Sequence, residues 1–133
     1  MNLYAQNILD HYKTPHYQKE VADATISHHE VNHSCGDALS IQLKVDGDRI
    51  KIYGFKGQGC AISMAAADML GDLIAELSMD DILALTKEDL YEMLGIEISL
   101  RRSKCALLGL LAIQNAILEH QGGSKRSWNY YHI

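Results

Sequence analysis

The 133-residue sequence lacks any run of the roughly 18 to 20 uninterrupted apolar residues that a membrane span needs, which excludes a spanning helix. Its opening, Met1-Asn2-Leu3-Tyr4-Ala5-Gln6, has no basic region followed by an apolar stretch, so a cytoplasmic location is expected. A basic surplus is missing too. With 12 Lys and Arg against 17 Asp and Glu the net charge is -5, and phosphate-backbone binding needs a clustered basic surface, so nucleic acid is not an expected partner. The glycine-rich stretch Gly54 to Gly59 lacks the lysine and serine of a Walker-A loop, which argues against phosphate binding. No internal repeat is present, and Gly122-Gly123-Ser124 is the one linker-like segment. Cysteines are scarce, three in all. An odd, scattered set in a reducing compartment serves as ligands or nucleophiles rather than as a disulfide framework. The Asn32-His33-Ser34 triplet fits a glycosylation pattern but has no secretory route to act in.

What is present is one domain's worth of core: 47% hydrophobic and 22% charged residues. Leu3, Ile8, Leu9 and Tyr12 recur at helical spacing, and Thr14-Pro15 ends that helix. Leu39, Ile41, Leu43 and Val45 then alternate with polar residues. Asp46-Gly47-Asp48 follows as a hairpin turn, and Ile50, Ile52, Tyr53 and Phe55 continue the pattern, which predicts antiparallel strands. Thr25 to Val31 is expected to add a third. After Cys60, the residues Ile62, Ala65, Ala66, Met69, Leu73, Ile74 and Leu77 line one helical face. Thr86-Lys87-Glu88-Asp89 caps a short helix that stops at Gly95, and Ala106 to Glu119 forms a long apolar helix. Strands first and helices after predict an α+β fold, a three-stranded antiparallel sheet covered on one face by helices. The domain is expected to occupy residues 1–121, with 122–133 as a C-terminal tail. Trp128, Tyr130 and Tyr131 in that tail either dock a partner or form a frayed or locally packed terminus.

The cysteines sit in settings unlike that of a core thiol: Cys35-Gly36-Asp37, Gly57-Gln58-Gly59-Cys60-Ala61 and Arg101-Arg102-Ser103-Lys104-Cys105. Each falls at a junction: a turn between strands, the change from sheet to helix, and the start of the last helix. A helix N-terminus carries partial positive charge, which favours the thiolate that binds metal or attacks sulfur. Asp37 supplies a hard oxygen beside soft sulfurs, so three thiolates and one carboxylate can complete a tetrahedron around zinc or share an iron-sulfur cluster. The plain alternative is that a free cysteine is a small buried hydrophobe, and spacings of 25 and 45 residues are no zinc-finger pattern. Glycine, aspartate, arginine and lysine neighbours argue against that alternative. His33 places an imidazole near Cys35, and in a continuous strand His29, His33 and Cys35 would share a direction; otherwise these histidines face solvent. Lys104 either pairs with Asp37, steadies a thiolate, or is solvated.

Three motifs in order carry a resemblance. Cys35-Gly36-Asp37, Gly57-Gln58-Gly59-Cys60-Ala61-Ile62-Ser63 and Lys104-Cys105-Ala106-Leu107-Leu108 resemble the ligand motifs of the IscU/SufU/NifU-N family of iron-sulfur cluster assembly scaffolds. The segment from Leu3-Tyr4 to His11-Tyr12 and Pro15 resembles that family's N-terminus. The resemblance implies a SufE/NifU-like fold. It also implies Cys35, Asp37, Cys60 and Cys105 as ligands for Zn2+, Fe2+ or a transient [2Fe-2S] cluster, and Cys105 or Cys60 as acceptor of persulfide sulfur. His33 and Lys104 are possible accessory residues. The implied partners are a PLP-dependent cysteine desulfurase and apo iron-sulfur proteins. Lys104 is SufU-like, standing where IscU has a histidine, whereas the insertion that SufU carries between the second and third cysteines is absent. A proline usual two residues before the first cysteine is His33 here. Glu97-Ile98-Ser99-Leu100-Arg101-Arg102 replaces the Leu-Pro-Pro-Val-Lys segment by which IscU engages its Hsp70 chaperone, which argues against chaperone-assisted release. Three functions stay open: a non-enzymatic scaffold, a zinc-dependent sulfurtransferase, and a structural zinc module.

Overall fold

The structure, a computed structural model, describes residues 2–133. Helix α1 (Leu3–Lys13) opens on Asn2, whose side-chain oxygen accepts from the backbone N–H groups of Tyr4 and Ala5, and it ends ahead of Pro15. Strands β1 (Ile26–Asn32), β2 (Asp37–Asp46) and β3 (Arg49–Gln58) form an antiparallel sheet in the order β1-β2-β3. Alternation sorts its faces. Leu39, Ile41 and Leu43 point to the core, where Ile41 pairs with Phe55 and Leu43 with Tyr53 and Ile26. Ser27, His29, Ser40 and Lys56 lie exposed on the other face.

Helices α2 (Ala61–Ile74) and α5 (Ser103–His120) cover the apolar face, and α3 (Met79–Leu83) and α4 (Lys87–Leu94) pack on α5. The fold is therefore α+β with one face of the sheet covered, as the order of periodicities predicted. Thr86 and Asp89 form the expected reciprocal cap, and Gly95 ends α4 in the left-handed conformation. Helix α3 was not anticipated, since five residues are too few to show a period, although Ser78 and Asp81 form a capping box that a reader of caps would find. α5 begins at Ser103 rather than Ala106. Among the described residues no helix is long and apolar enough to cross a membrane.

The segment 122–133, expected as a separate tail, packs back onto the domain. Two buried amides on α5 account for this. Asn115 accepts from the backbone N–H of Arg126 (2.6 Å) and donates to its carbonyl (3.0 Å). Gln114 donates to the carbonyls of Ile82 and Leu85 and accepts from the hydroxyl of Tyr131, which is 2% exposed. Buried amides without partners would cost about 1 to 3 kcal/mol each, so the chain end is held by satisfying them. The boundary expected at residue 121 is thus not where packing stops.

One buried carboxylate joins the N-terminal segment to α2. Asp68 is fully buried and accepts from the backbone N–H groups of His16 (2.8 Å) and Tyr17 (2.7 Å) through one oxygen, while its other oxygen meets Nδ1 of His11 at 2.6 Å. Ile8 of α1 packs beside it against Ala65, Ala66 and Met69. Replacing Asp68 by Ala leaves three donors without an acceptor, so Asp68→Ala is expected to lower unfolding free energy by about 3 kcal/mol in urea titration. A change under about 0.5 kcal/mol would contradict this account.

Candidate metal centre

The strand register brings distant residues to one end of the sheet. Asn32 pairs with Asp37 across β1 and β2, and Ala38 pairs with Gln58 across β2 and β3, so the turn carrying Cys35 and the end of β3 lie side by side. Cys60 is the residue that precedes α2, and Cys105 sits in the first turn of α5. Gly57 has φ +156 and a Cβ there would collide with the Ala38 carbonyl oxygen, so this position needs glycine, while a Cβ at Gly59 would press on the Asp37 carboxylate at 3.1 Å.

The sulfur atoms of Cys35 and Cys105 are 3.5 Å apart, and that of Cys35 is 3.1 Å from Oδ2 of Asp37. One ligand atom each from Cys35, Asp37 and Cys105 lies within 4.8 Å of the others. Cys60 joins them through Ser63, whose hydroxyl donates to Oδ2 of Asp37 at 2.6 Å and lies 3.3 Å from the Cys60 sulfur. Cys35, Asp37, Cys60 and Cys105 all line one open pocket of about 930 Å³. Cys35 is exposed, Cys60 half-buried and Cys105 buried.

Electrostatics separate the thiols. Burial acts to raise the Cys60 thiol, yet hydrogen bonds from the Ser63 side chain and backbone outweigh it, and the thiol lies below its ordinary value. Burial pushes the Cys105 thiol well up, and hydrogen bonding with Cys35 and Cys60 adds to the rise. Asp37 is buried, which acts to raise its carboxyl, but hydrogen bonds from Ser63 and Cys35 prevail and hold it below the usual carboxylate range. It is therefore an anion at neutral pH, a state suited to ligating a cation.

His33 does not reach the pocket. β1 stops at Asn32, and a turn over residues 33–36, closed by the Gly36 N–H on the Asn32 carbonyl (2.9 Å), breaks the alternation and leaves His33 exposed. Asn32 takes the place nearest Cys35, donating to its sulfur at 2.9 Å. Lys104 lines the pocket but does not pair with Asp37; its Nζ is 3.4 Å from the Ser34 hydroxyl and lies over the Trp128 ring at 5.9 Å. Ser63 and Asn32 had no predicted role. Ser63 was legible in principle, because a residue three beyond a helix-preceding residue faces back toward it.

Residues 3–127 match the family described as the NifU-like N-terminal domain. The chain belongs to this family. It is 31% identical over 139 aligned positions to the zinc-dependent sulfurtransferase SufU of Bacillus subtilis, covering 92% of this chain and 94% of that protein. Over 149 positions it is 30% identical to the iron-sulfur cluster assembly scaffold protein IscU of Streptococcus pyogenes serotype M1, with 99% and 89% covered. Both alignments are longer than 133 residues, so each relative carries residues absent here. A nitrogen-fixing NifU-like protein (N-terminal) from Brucella abortus superposes with a TM-score of 0.73 at 16% identity over 91% of this chain and 96% of that one, which shows the shared fold.

The thiol order makes a prediction for this NifU-like domain. In the metal-free chain, iodoacetamide at neutral pH is expected to label Cys60 about tenfold or more faster than Cys105, read residue by residue in peptide mass spectra. Equal rates would contradict the assigned difference.

Proposed function

We propose that this chain is an iron-sulfur cluster assembly scaffold that takes sulfur from a PLP-dependent cysteine desulfurase and holds iron or a [2Fe-2S] cluster for transfer to apo-proteins. The observation that carries this reading is that three thiols and one ionised carboxylate line a single open pocket, with ligand atoms of Cys35, Asp37 and Cys105 within 4.8 Å of one another. That donor set fits zinc or a thiolate-rich iron site. An enclosed site would retain its metal; this one is open to a partner.

Cys60 is the proposed sulfur acceptor. Its acidified thiolate attacks the outer sulfur of a desulfurase persulfide, the S–S bond breaks, and the desulfurase thiolate leaves, so Cys60 carries the persulfide with no net oxidation. Converting that sulfur to sulfide takes two electrons from an added thiol reductant. Cys35, Asp37 and Cys105 are the remaining ligands, and metal binding deprotonates the buried Cys105 thiol. Arg101, Arg102 and Lys104 on the pocket wall supply positive charge toward the thiolates.

Anaerobic incubation with a cysteine desulfurase, cysteine, a thiol reductant and ferrous iron is expected to give cluster absorbance, absent in Cys105→Ser. The Asp37→Cys variant is expected to lose its cluster about tenfold more slowly, because a thiolate holds iron in such clusters more firmly than a carboxylate. Faster loss would contradict the role given to Asp37. In mass spectra taken before iron is added, persulfide is expected on Cys60; persulfide on Cys105 with Cys60 unmodified would overturn the acceptor assignment.

The second reading is a zinc-dependent sulfurtransferase, favoured by Lys104 on the pocket wall and by the identity to SufU. It predicts tightly held zinc and stimulated desulfurase turnover with no chromophore. A structural zinc module is not supported: the core of Leu39, Ile41, Leu43, Phe55, Leu70 and Leu107 lies between sheet and helices without any of the three cysteines. Chelator-treated protein is expected to keep its helical circular dichroism.

A further inference from the structure

A second group of metal-ligating side chains lies far from the cysteine pocket. Asp72 is 12 residues beyond Cys60, roughly 18 Å along the axis of α2. There, one ligand atom each from His11 of α1, His16 of the segment after Pro15, and Asp72 of α2 lies within 4.8 Å of the others.

Two of these side chains are already aimed. Nδ1 of His11 is 2.6 Å from Oδ2 of Asp68, and a carboxylate at that nitrogen favours the tautomer with Nδ1 protonated, leaving the lone pair on Nε2. Nε2 faces Oδ2 of Asp72 at 4.0 Å. The other Asp72 oxygen accepts from the Tyr17 hydroxyl at 2.7 Å. That hydrogen bond holds one oxygen of Asp72 and leaves Oδ2 turned toward the histidine. Asp68 also accepts from the His16 backbone N–H, so one buried carboxylate holds the His11 imidazole and the main chain at His16. The His11 and His16 rings are 5.5 Å apart and inclined by 59°, not stacked.

A carboxylate behind a histidine whose other nitrogen points at further ligands is the recurrent arrangement around bound metals, where it fixes tautomer and ring direction. Two imidazoles and one carboxylate with open positions suit a divalent transition metal. Ligands on one such ion, with bonds near 2.1 Å, stand roughly 3.0 to 3.4 Å apart. Closing from separations of up to 4.8 Å asks for movement of exposed His16 and Asp72 only, since His11 is pinned.

We propose that His11, His16 and Asp72 form a second site for a divalent transition-metal ion, with Asp68 as the residue that positions it. The site is independent of the cysteines, so both can be filled at once.

The test is an anaerobic Co2+ titration of the full, chelator-stripped chain followed by visible spectroscopy. Two equivalents are expected, one with intense thiolate-to-cobalt charge transfer and one with only the weak ligand-field bands of a nitrogen and oxygen set. His16→Ala and Asp72→Asn, both at exposed positions, should each weaken the second equivalent tenfold or more and leave the charge-transfer band intact. Cys105→Ser should diminish that band and keep the second equivalent. Zn2+ near stoichiometric amounts should displace the second cobalt, following the usual affinity order. Binding of a single equivalent, survival of the second in both His16→Ala and Asp72→Asn, or failure of Zn2+ to displace it would overturn the proposal.

Discussion

Asp37 is an ionised carboxylate almost wholly removed from water, and the end of the sheet is arranged to satisfy it. An unpaired buried charge costs several kcal/mol, so its oxygens draw in hydrogen-bond donors. Ser63 from α2 and Cys35 from the β1–β2 turn supply them. Through those two contacts a strand, a helix and a turn are fixed relative to one another, and Cys60, one turn before Ser63, is brought along. Asp37 thus organises the pocket as well as offering a ligand.

The same geometry separates two of the thiols. Cys60, ahead of a helix and beside a hydroxyl, is easier to ionise than Cys105, which lies inside the first turn of α5 and is closed off by its neighbours. A site with one ready thiolate and one reluctant thiol can accept sulfur at the first before it commits the second to a metal, because a bound cation supplies the field that deprotonates it. Exposure of Cys35 at the turn leaves the pocket approachable by a partner surface.

Much of this was readable from residue order. Alternation in β2 and β3 set the faces of the sheet, Thr86 and Gly95 marked both ends of α4, and the glycine, aspartate and arginine neighbours singled out the three cysteines, of which Cys105 is buried. What escaped were effects that depend on burial at long range. The tail is held by Asn115 and Gln114, two amides on an otherwise apolar helix, and nothing local announces that their partners are Arg126 and Tyr131. His33 shares a direction with Cys35 only in a straight strand; the turn after Asn32 ends that strand, and His33 takes the solvent-facing alternative. Asp68 reads as a polar residue on the solvent side of a helix until the segment at His16 and Tyr17 is laid against it.

The central claim is that Cys35, Asp37, Cys60 and Cys105 close on one ion. X-ray absorption at the zinc edge, on protein carrying one equivalent of Zn2+, tests it most directly. The account predicts three sulfur scatterers near 2.3 Å and one oxygen near 2.0 Å, with the oxygen replaced and the sulfurs retained in Asp37→Ala. A shell with fewer than three sulfurs, or one dominated by imidazole nitrogen, would contradict it.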